Sequence, residues 1–158
     1  MSFDGRELRS ALGQFATGVC VITVHNSEQQ ALGMTANSFS SVSLDPPLVL
    51  WSLQKGSEVF EAFATPQVFG ISVLAAEQVE LSNQCAKKGD HRLPADYFVL
   101  GESGVPVIKD ALVSFECTLD TTHEGGDHVI IVGRVEHMTT RGEGQPLLFF
   151  SGAYRELG

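Results

Sequence analysis

Positively charged side chains are scarce in this chain of 158 residues. Ten Lys and Arg residues stand against 19 Asp and Glu residues, which gives a formal net charge of −9 at pH 7. Nucleic acids and anionic membrane surfaces attract basic proteins, so this charge balance argues against both as partners. Any bound phosphate must therefore be held by a local group of donors rather than by the overall charge.

Long apolar runs and cysteine clusters are missing as well. Because no run of about 18 apolar residues is present, the sequence predicts no membrane-spanning helix. Residues 1–5 show no basic segment followed by an apolar one, so we expect no secretory signal. The cysteines, Cys20, Cys85 and Cys117, are odd in number and widely spaced. We therefore expect free thiols and a cytoplasmic location.

The common nucleotide-binding and hydrolase motifs are also absent. The sequence has no G-x-G-x-x-G after a strand pattern, no G-x-x-x-x-G-K-[ST] and no G-x-S-x-G. These absences argue against a Rossmann enzyme, a P-loop enzyme and a serine hydrolase. His123, Asp127 and His128 share one glycine-containing segment, but their spacing matches no standard metal site, so we predict none.

Short β-strand patterns separated by turns dominate what is present. Apolar or alternating segments predict strands at 19–24, from 31, and at 48–53, 68–74, 97–100, 113–119, 129–135 and 147–150. Helical spacing predicts helices at 5–15, from 58, and at 76–86. The length favours one domain over residues 1–158. The pattern predicts a mainly β protein, an antiparallel barrel with short flanking helices.

The clearest alternation in the chain runs from residue 113 to residue 120. It predicts one apolar face and one solvent-facing face, the latter with Ser114 and Glu116. The polar segment 121–127 that follows is expected to be a loop.

Small and hydroxyl-bearing side chains concentrate between Gly33 and Ser57. The two prolines after Asp45 lack an N–H group, so they should interrupt any β ladder. Ser57 is expected to cap a helix that begins at Glu58. Hydroxyls and main-chain N–H groups at such strand ends and at a helix start can hold a planar polar ring and a phosphate. The alternative is a serine-rich surface loop.

One segment is basic in this otherwise acidic chain. Lys87, Lys88 and Arg92 lie within six residues of one another. They are either a solvated loop or a group from which one side chain reaches the phosphate of a dinucleotide.

The stretch GMTANSFSSVSLDPPLVLWSL at 33–53 resembles the signature of the short flavin reductases that serve two-component flavin monooxygenases. FATGVCVIT at 15–23, GDH at 126–128 and the segment from PLLFF at 146–150 to Tyr154 fit the same family, in order along the chain. The resemblance implies a split β-barrel of Greek-key type, built as a homodimer. It implies an NAD(P)H:flavin oxidoreductase that reduces FMN or FAD by hydride transfer and supplies reduced flavin to a partner monooxygenase.

The same resemblance implies roles for individual residues. The cofactor-binding residues it implies are Thr35, Ala36, Asn37 and Ser38 at the isoalloxazine edge, with Ser41 as a further candidate; Ser52, Leu53 and Gln54 at the ring or ribityl chain; Ser57 at the phosphate; and Tyr154 near the flavin across a dimer contact. His128 is implied as the catalytic residue, beside the flavin ring where the nicotinamide docks. Of the basic segment, Lys87 is the candidate for cofactor binding.

Two other functions remain open from the residues alone. One is another oxidoreductase on the same barrel, similar to pyridoxine-phosphate oxidases. The other is a non-enzymatic flavin-binding or haem-type carrier. Neither the choice between FMN and FAD nor that between NADH and NADPH follows from the sequence.

Overall fold

Antiparallel strands are the most abundant element of the structure, a computed structural model that describes residues 2–158 and leaves only Met1 outside the described residues. The elements are, in chain order, α1 (Gly5–Leu12), β1 (Thr17–Gly18), β2 (Cys20–His25), β3 (Ala31–Ala36), β4 (Ser40–Leu44), β5 (Pro47–Gln54), α2 (Phe60–Ala64), β6 (Val68–Val73), a 3-10 turn (Ala76–Gln78), α3 (Val79–Ala86), a second 3-10 turn (Ala95–Tyr97), β7 (Phe98–Leu100), β8 (Pro106–Ile108), β9 (Val113–Gly125), β10 (His128–Thr140), β11 (Leu148–Phe150) and β12 (Ala153–Arg155). The prediction of a mainly β protein with short helices is confirmed.

A seven-stranded sheet in the order β3-β2-β6-β9-β10-β5-β4 forms the body of the fold. A three-stranded sheet, β1-β11-β12, and the β7-β8 hairpin complete the strands. Every strand pair is antiparallel. No helix among residues 2–158 has the length and apolar character needed to cross a membrane.

Strand β2 lies between two apolar clusters because its alternate side chains point to opposite faces. Ile22 and Val24 join the cluster around Trp51, and Val21 joins the cluster around Leu74 that also packs against α3. Burial on both faces explains the nearly continuous β-branched run that the sequence shows here.

The alternation in β9 does not give the solvent-facing side that we predicted. Ser114 and Glu116 are both buried, because the β7-β8 hairpin and the turn inside it cover this face of the sheet. Ser114 Oγ shares a hydrogen bond of 2.8 Å with Ser72 Oγ. Glu116 accepts hydrogen bonds from the Ser103 N–H and Oγ at 2.8 and 2.6 Å. A buried carboxylate is tolerated only with such donors.

The loop predicted at 121–127 is also wrong for most of its length. Strand β9 continues to Gly125 and pairs with β10 as far as His128, so the turn is confined to Gly126 and Asp127. Gly126 has a φ of +70°, which is the left-handed region that glycine favours. The side chains of this hairpin end are exposed on both faces, which removes the apolar alternation that marks a strand.

Two predicted helix boundaries need correction. Helix α1 ends at Leu12 rather than at residue 15, and Asp4 caps it by accepting from the Glu7 N–H at 2.8 Å. Helix α2 begins at Phe60 with Val59 at the cap, so Ser57 is not its N-cap. Instead the Ser57 N–H donates to the Gln54 carbonyl at 3.2 Å, which closes a turn and delays the helix.

The prolines interrupt the β ladder less than predicted. Strands β4 and β5 form a hairpin in which Pro47 is the first residue of β5 and pairs with Leu44. Only Asp45 and Pro46 lie in the turn. A proline is tolerated at the first position of a strand, where its missing N–H is not needed.

Candidate functional site

The ends of β3 and β5 and the end of α3 meet at one cleft of about 450 Å³, which we call the main cleft. It is lined by Met34, Thr35, Gln54, Gly56, Ser57, Glu58, Cys85, Ala86, Lys87, Lys88 and His91. A smaller cavity of about 200 Å³, the side pocket, is lined by Val19, Thr35, Ala36, Asn37, Ala86, Phe149 and Tyr154. Because Thr35 and Ala86 line both, the two cavities adjoin.

Ser38 lies in the short connection, residues 37–39, between β3 and β4. Its Oγ accepts a hydrogen bond from the Ser52 N–H at 2.9 Å and donates to the Ser52 carbonyl at 3.3 Å. Because Ser40 pairs with Leu50, this contact extends the β4-β5 hairpin. Strands β3 and β4 are the two edges of the seven-stranded sheet, so a connection this short requires the sheet to curl and bring its edges together.

Strand alternation separates the predicted residues of β5. Leu53 is fully buried in the apolar core, so its side chain does not reach the cleft and only its main chain is left for a ligand. Gln54, the next residue, lines the main cleft. Ser41 lies on the exposed strand β4 and lines neither cavity. Among the residues expected at the ring, Thr35, Ala36 and Asn37 share the side pocket with Tyr154.

A buried serine that the sequence reasoning missed links two of the predicted residues. Thr35 Oγ1 donates to the Ser82 carbonyl at 2.6 Å, and Ser82 Oγ shares a hydrogen bond of 2.6 Å with the Tyr154 hydroxyl. Ser82 is completely buried on α3. The available signal was a polar residue on the helix face that also carries Leu81 and Cys85, both buried.

His128 begins β10 directly opposite Gln54, so it lies at the same end of the sheet as the main cleft. Its Nδ1 is 2.7 Å from Asp127 Oδ1, and its side chain is 40% exposed. The hydrogen bond with His128 and its charge, together with the charge of Lys55, hold the pKa of Asp127 below its usual value. The histidine is therefore accessible, with one ring nitrogen engaged by a carboxylate.

Two lysines supply the positive charge at the main cleft. Lys87 and Lys88 line it, whereas Arg92 lines a separate cavity of about 690 Å³. Arg92 is paired with Asp90 at 3.0 Å, and its hydrogen bonds lower the pKa of Asp90 to about 2. Arg92 is thus already engaged.

Cys85 is the one cysteine at the main cleft. Its burial raises the pKa of its thiol to about 12, as burial also does for Cys20 and Cys117. All three thiols are free and buried. A neutral thiol is a poor nucleophile, so Cys85 contributes shape rather than reactivity to the cleft.

Known proteins resemble this chain over nearly its whole length. Residues 12–158 match the family described as "Flavin reductase like domain". The chain is 46% identical over 151 residues to an FMN reductase (NADH) of Agrobacterium fabrum, covering 96% of this chain and 85% of that protein. It is 42% identical over 149 residues to the reductase component of a flavin-dependent trigonelline monooxygenase of Acinetobacter baylyi, covering 94% of this chain and 48% of that protein.

A solved structure shares the whole fold. The NADH:FAD oxidoreductase of Streptomyces globisporus, determined with NAD and FAD fragments, superposes with a TM-score of 0.92 at 38% identity, covering 98% of this chain and 93% of that one. The chain spans less than half the length of two curated relatives that it matches, 43% of one and 48% of the other. Matched from residue 12 to its last residue, the chain belongs to the flavin reductase like family.

Proposed function

We propose that the chain is an NAD(P)H:flavin oxidoreductase that reduces FMN or FAD and supplies the reduced flavin to a partner monooxygenase. The observation that carries the proposal is the coincidence of the family match with the main cleft. The segment 33–57, which includes the stretch 33–53 that resembles the family signature, contributes the ends of β3 and β5 to that cleft.

The residues present fit a flavin nucleotide. The main cleft, at about 450 Å³, lies within the range of about 300–1,000 Å³ found for small-molecule sites. Small and hydroxyl-bearing side chains line the side pocket and its junction with the main cleft, while Lys87 and Lys88 lie at the main cleft. A ligand with a planar polar ring at one end and a phosphate at the other matches this distribution of donors and charge.

Binding and orientation are the tasks left to the protein. When bound, the flavin accepts the hydride that the reduced nicotinamide supplies, so the transfer itself belongs to the cofactors. Thr35, Ala36 and Asn37 then contact the ring edge, and Tyr154 forms another part of the wall of the side pocket. Holding two rings in contact is a positional task, to which orientation alone contributes strongly.

The remaining predicted residues take the other parts of the flavin. Ser38 and Ser52 line neither cavity themselves; their hydrogen bond holds the β3-β4 connection against β5 beside the ring edge. Gln54 lies toward the ribityl chain. Leu53 contributes main-chain groups only. Ser57 and Lys87 meet the phosphate. Ser41 is the weakest candidate because it lies on the exposed strand β4.

His128 is proposed to position the nicotinamide and to hold a proton for the reduced flavin. Its location opposite Gln54 and its exposure support access by a second ring. Asp127 Oδ1 lies 2.7 Å from His128 Nδ1 and fixes the orientation of the imidazole ring.

The architecture proposed with this function is a split β-barrel of Greek-key type, one domain over residues 1–158, assembled as a homodimer. The curled sheet supports the barrel. The exposed apolar side chains of Leu8, Leu12 and Phe15 at the N-terminal helix support a second copy as a cover for that face. A cytoplasmic location stays a prediction that rests on the three free thiols.

The proposal is tested by measuring NADH and NADPH oxidation with FMN, with FAD and without flavin. Turnover that requires flavin is expected with one nicotinamide at least. If the protein purifies yellow but neither nicotinamide is oxidised, the chain is a carrier instead. If flavin-bound protein oxidises pyridoxine phosphate but not a nicotinamide, it belongs with the pyridoxine-phosphate oxidases in function.

A further inference from the structure

We infer that Ser82 is a positioning residue of the flavin site, which holds Tyr154 through its hydroxyl and Thr35 through its carbonyl. This inference rests on the proposed function, because it assumes that the side pocket receives part of the flavin. No sequence motif pointed to Ser82, which lies in the middle of α3.

Two hydrogen bonds join three separate elements at this residue. The Ser82 hydroxyl lies 2.6 Å from the Tyr154 hydroxyl of β12, and the Ser82 carbonyl accepts from Thr35 Oγ1 of β3, also at 2.6 Å. Tyr154 and Thr35 form walls of the side pocket, and Thr35 reaches the main cleft as well. Ser82 thus sets the separation of two pocket walls without lining the pocket itself.

The chemistry of α3 supports a specific task for this hydroxyl. The helix face that packs inward also carries the buried side chains of Leu81 and Cys85. A polar group buried on this face costs free energy unless it has a hydrogen-bond partner, and an apolar side chain would avoid that cost. A serine in mid-helix commonly turns its hydroxyl back to the carbonyl four residues earlier. Here the hydroxyl meets Tyr154 instead, and so the polar group is used to hold the aromatic ring.

Apart from this bond, the Tyr154 ring is held by apolar packing against the cluster around Leu74. Phe149 packs edge-on against it, with ring centroids 5.7 Å apart and an interplanar angle of 68°. Hydrophobic packing is non-directional, whereas the hydrogen bond to Ser82 fixes the position of the hydroxyl end of the ring. Because the side pocket holds only about 200 Å³, a small shift of Tyr154 changes its shape appreciably.

The test is a double-mutant cycle with Ser82→Ala, Tyr154→Phe and the double variant, measured as dissociation constants for FMN and for riboflavin. Ser82→Ala should weaken both ligands, with about fivefold as the upper limit, because the whole net energy of one hydrogen bond is about 1 kcal/mol. The two ligands should be affected alike because the pocket meets the ring and not the phosphate. The double variant should bind no more weakly than the weaker single variant.

Ser114→Ala is the matched control. It also removes one hydroxyl from a buried pair, with Ser72 at 2.8 Å, but that pair lies between β6 and β9 and lines neither cavity of the site. Urea unfolding should show that Ser114→Ala and Ser82→Ala are destabilised to a similar degree. Only Ser82→Ala should lose flavin affinity.

Three results would overturn the inference. Flavin affinities unchanged in Ser82→Ala would make the residue merely structural, and additive losses in the double variant would mean that it does not act through Tyr154. If the wild-type chain binds no flavin at all, the proposed function fails and the inference fails with it. Normal binding by the wild type with unchanged binding by Ser82→Ala overturns the inference alone.

Discussion

Replacing Ser38 by alanine should loosen the junction between the β3-β4 connection and β5 at the edge of the cleft. The hydroxyl serves the Ser52 N–H at 2.9 Å and the Ser52 carbonyl at 3.3 Å, and alanine leaves both main-chain groups without this partner. Leaving a buried polar group unsatisfied costs roughly 1–3 kcal/mol. Because Ser38 and Ser52 are only half-buried and water can replace part of the loss, we expect a decrease of about 1–2 kcal/mol in the free energy of unfolding.

For a chain of this length, that loss corresponds to a fall in Tm of about 2–8 °C. Urea unfolding and flavin titration should be run together on Ser38→Ala. FMN and riboflavin should both bind more weakly, because Asn37, which precedes Ser38 in the chain, lines the side pocket. Ser40→Ala is the control, because its exposed hydroxyl bonds only to the adjacent Ser41 carbonyl, and its stability should stay within about 0.5 kcal/mol of wild type. If Ser38→Ala matches Ser40→Ala in both measurements, the junction is not held by Ser38.

Substitutions of Ser57, His128 and Glu116 test three other parts of the account. Ser57→Ala should weaken FMN binding about tenfold or more and change riboflavin binding little, because a hydrogen bond to the charged phosphate is lost. Parallel titrations with the two ligands measure this, and equal weakening of both would assign Ser57 to the turn it closes. His128→Ala should raise the NADH concentration needed for single-turnover flavin reduction and leave the flavin dissociation constant nearly unchanged; a loss of flavin affinity with normal reduction would move His128 to the flavin shell. Burial raises the pKa of Glu116, but the hydrogen bonds from Ser103 and Glu102 and the charge of His137 outweigh it and hold the pKa below its ordinary value. The stability that Glu116 contributes is therefore present above its unfolded-state pKa and is lost as pH falls through the lower folded-state pKa. Urea unfolding at decreasing pH should show a fall in the free energy of unfolding that Glu116→Gln lacks.

The strands could be predicted wherever their pattern follows from burial. Continuous β-branched residues identified β2, and the apolar run before Gln54 identified β5. The end of the β9-β10 hairpin could not be found in this way, because neither face of Thr121–Gly125 is buried and no period remains. The burial of Ser114 and Glu116 depends on the β7-β8 hairpin, a tertiary contact that no local pattern reports.

The sequence could predict those parts of the site that lie at the ends of strands. Thr35, Gln54, Ser57 and Lys87, which come from three parts of the chain, line one cleft. The inward direction of Leu53 follows from the two-residue period of the strand, which places it on the same buried face as Trp51 and which the resemblance alone did not consider. The role of Ser82 could not be reached, because its partners come from β3 and β12, 47 and 72 residues away.

The central claim is that this chain passes a hydride from a reduced nicotinamide to a flavin bound at the main cleft. The most direct measurement is anaerobic stopped-flow absorbance, with protein and stoichiometric FMN or FAD mixed with NADH or NADPH. We predict rapid loss of the oxidised-flavin absorbance, saturating with nicotinamide concentration and much faster than in the same mixture without protein. Flavin that binds to the protein but is reduced no faster than free flavin, with either nicotinamide, would contradict the account.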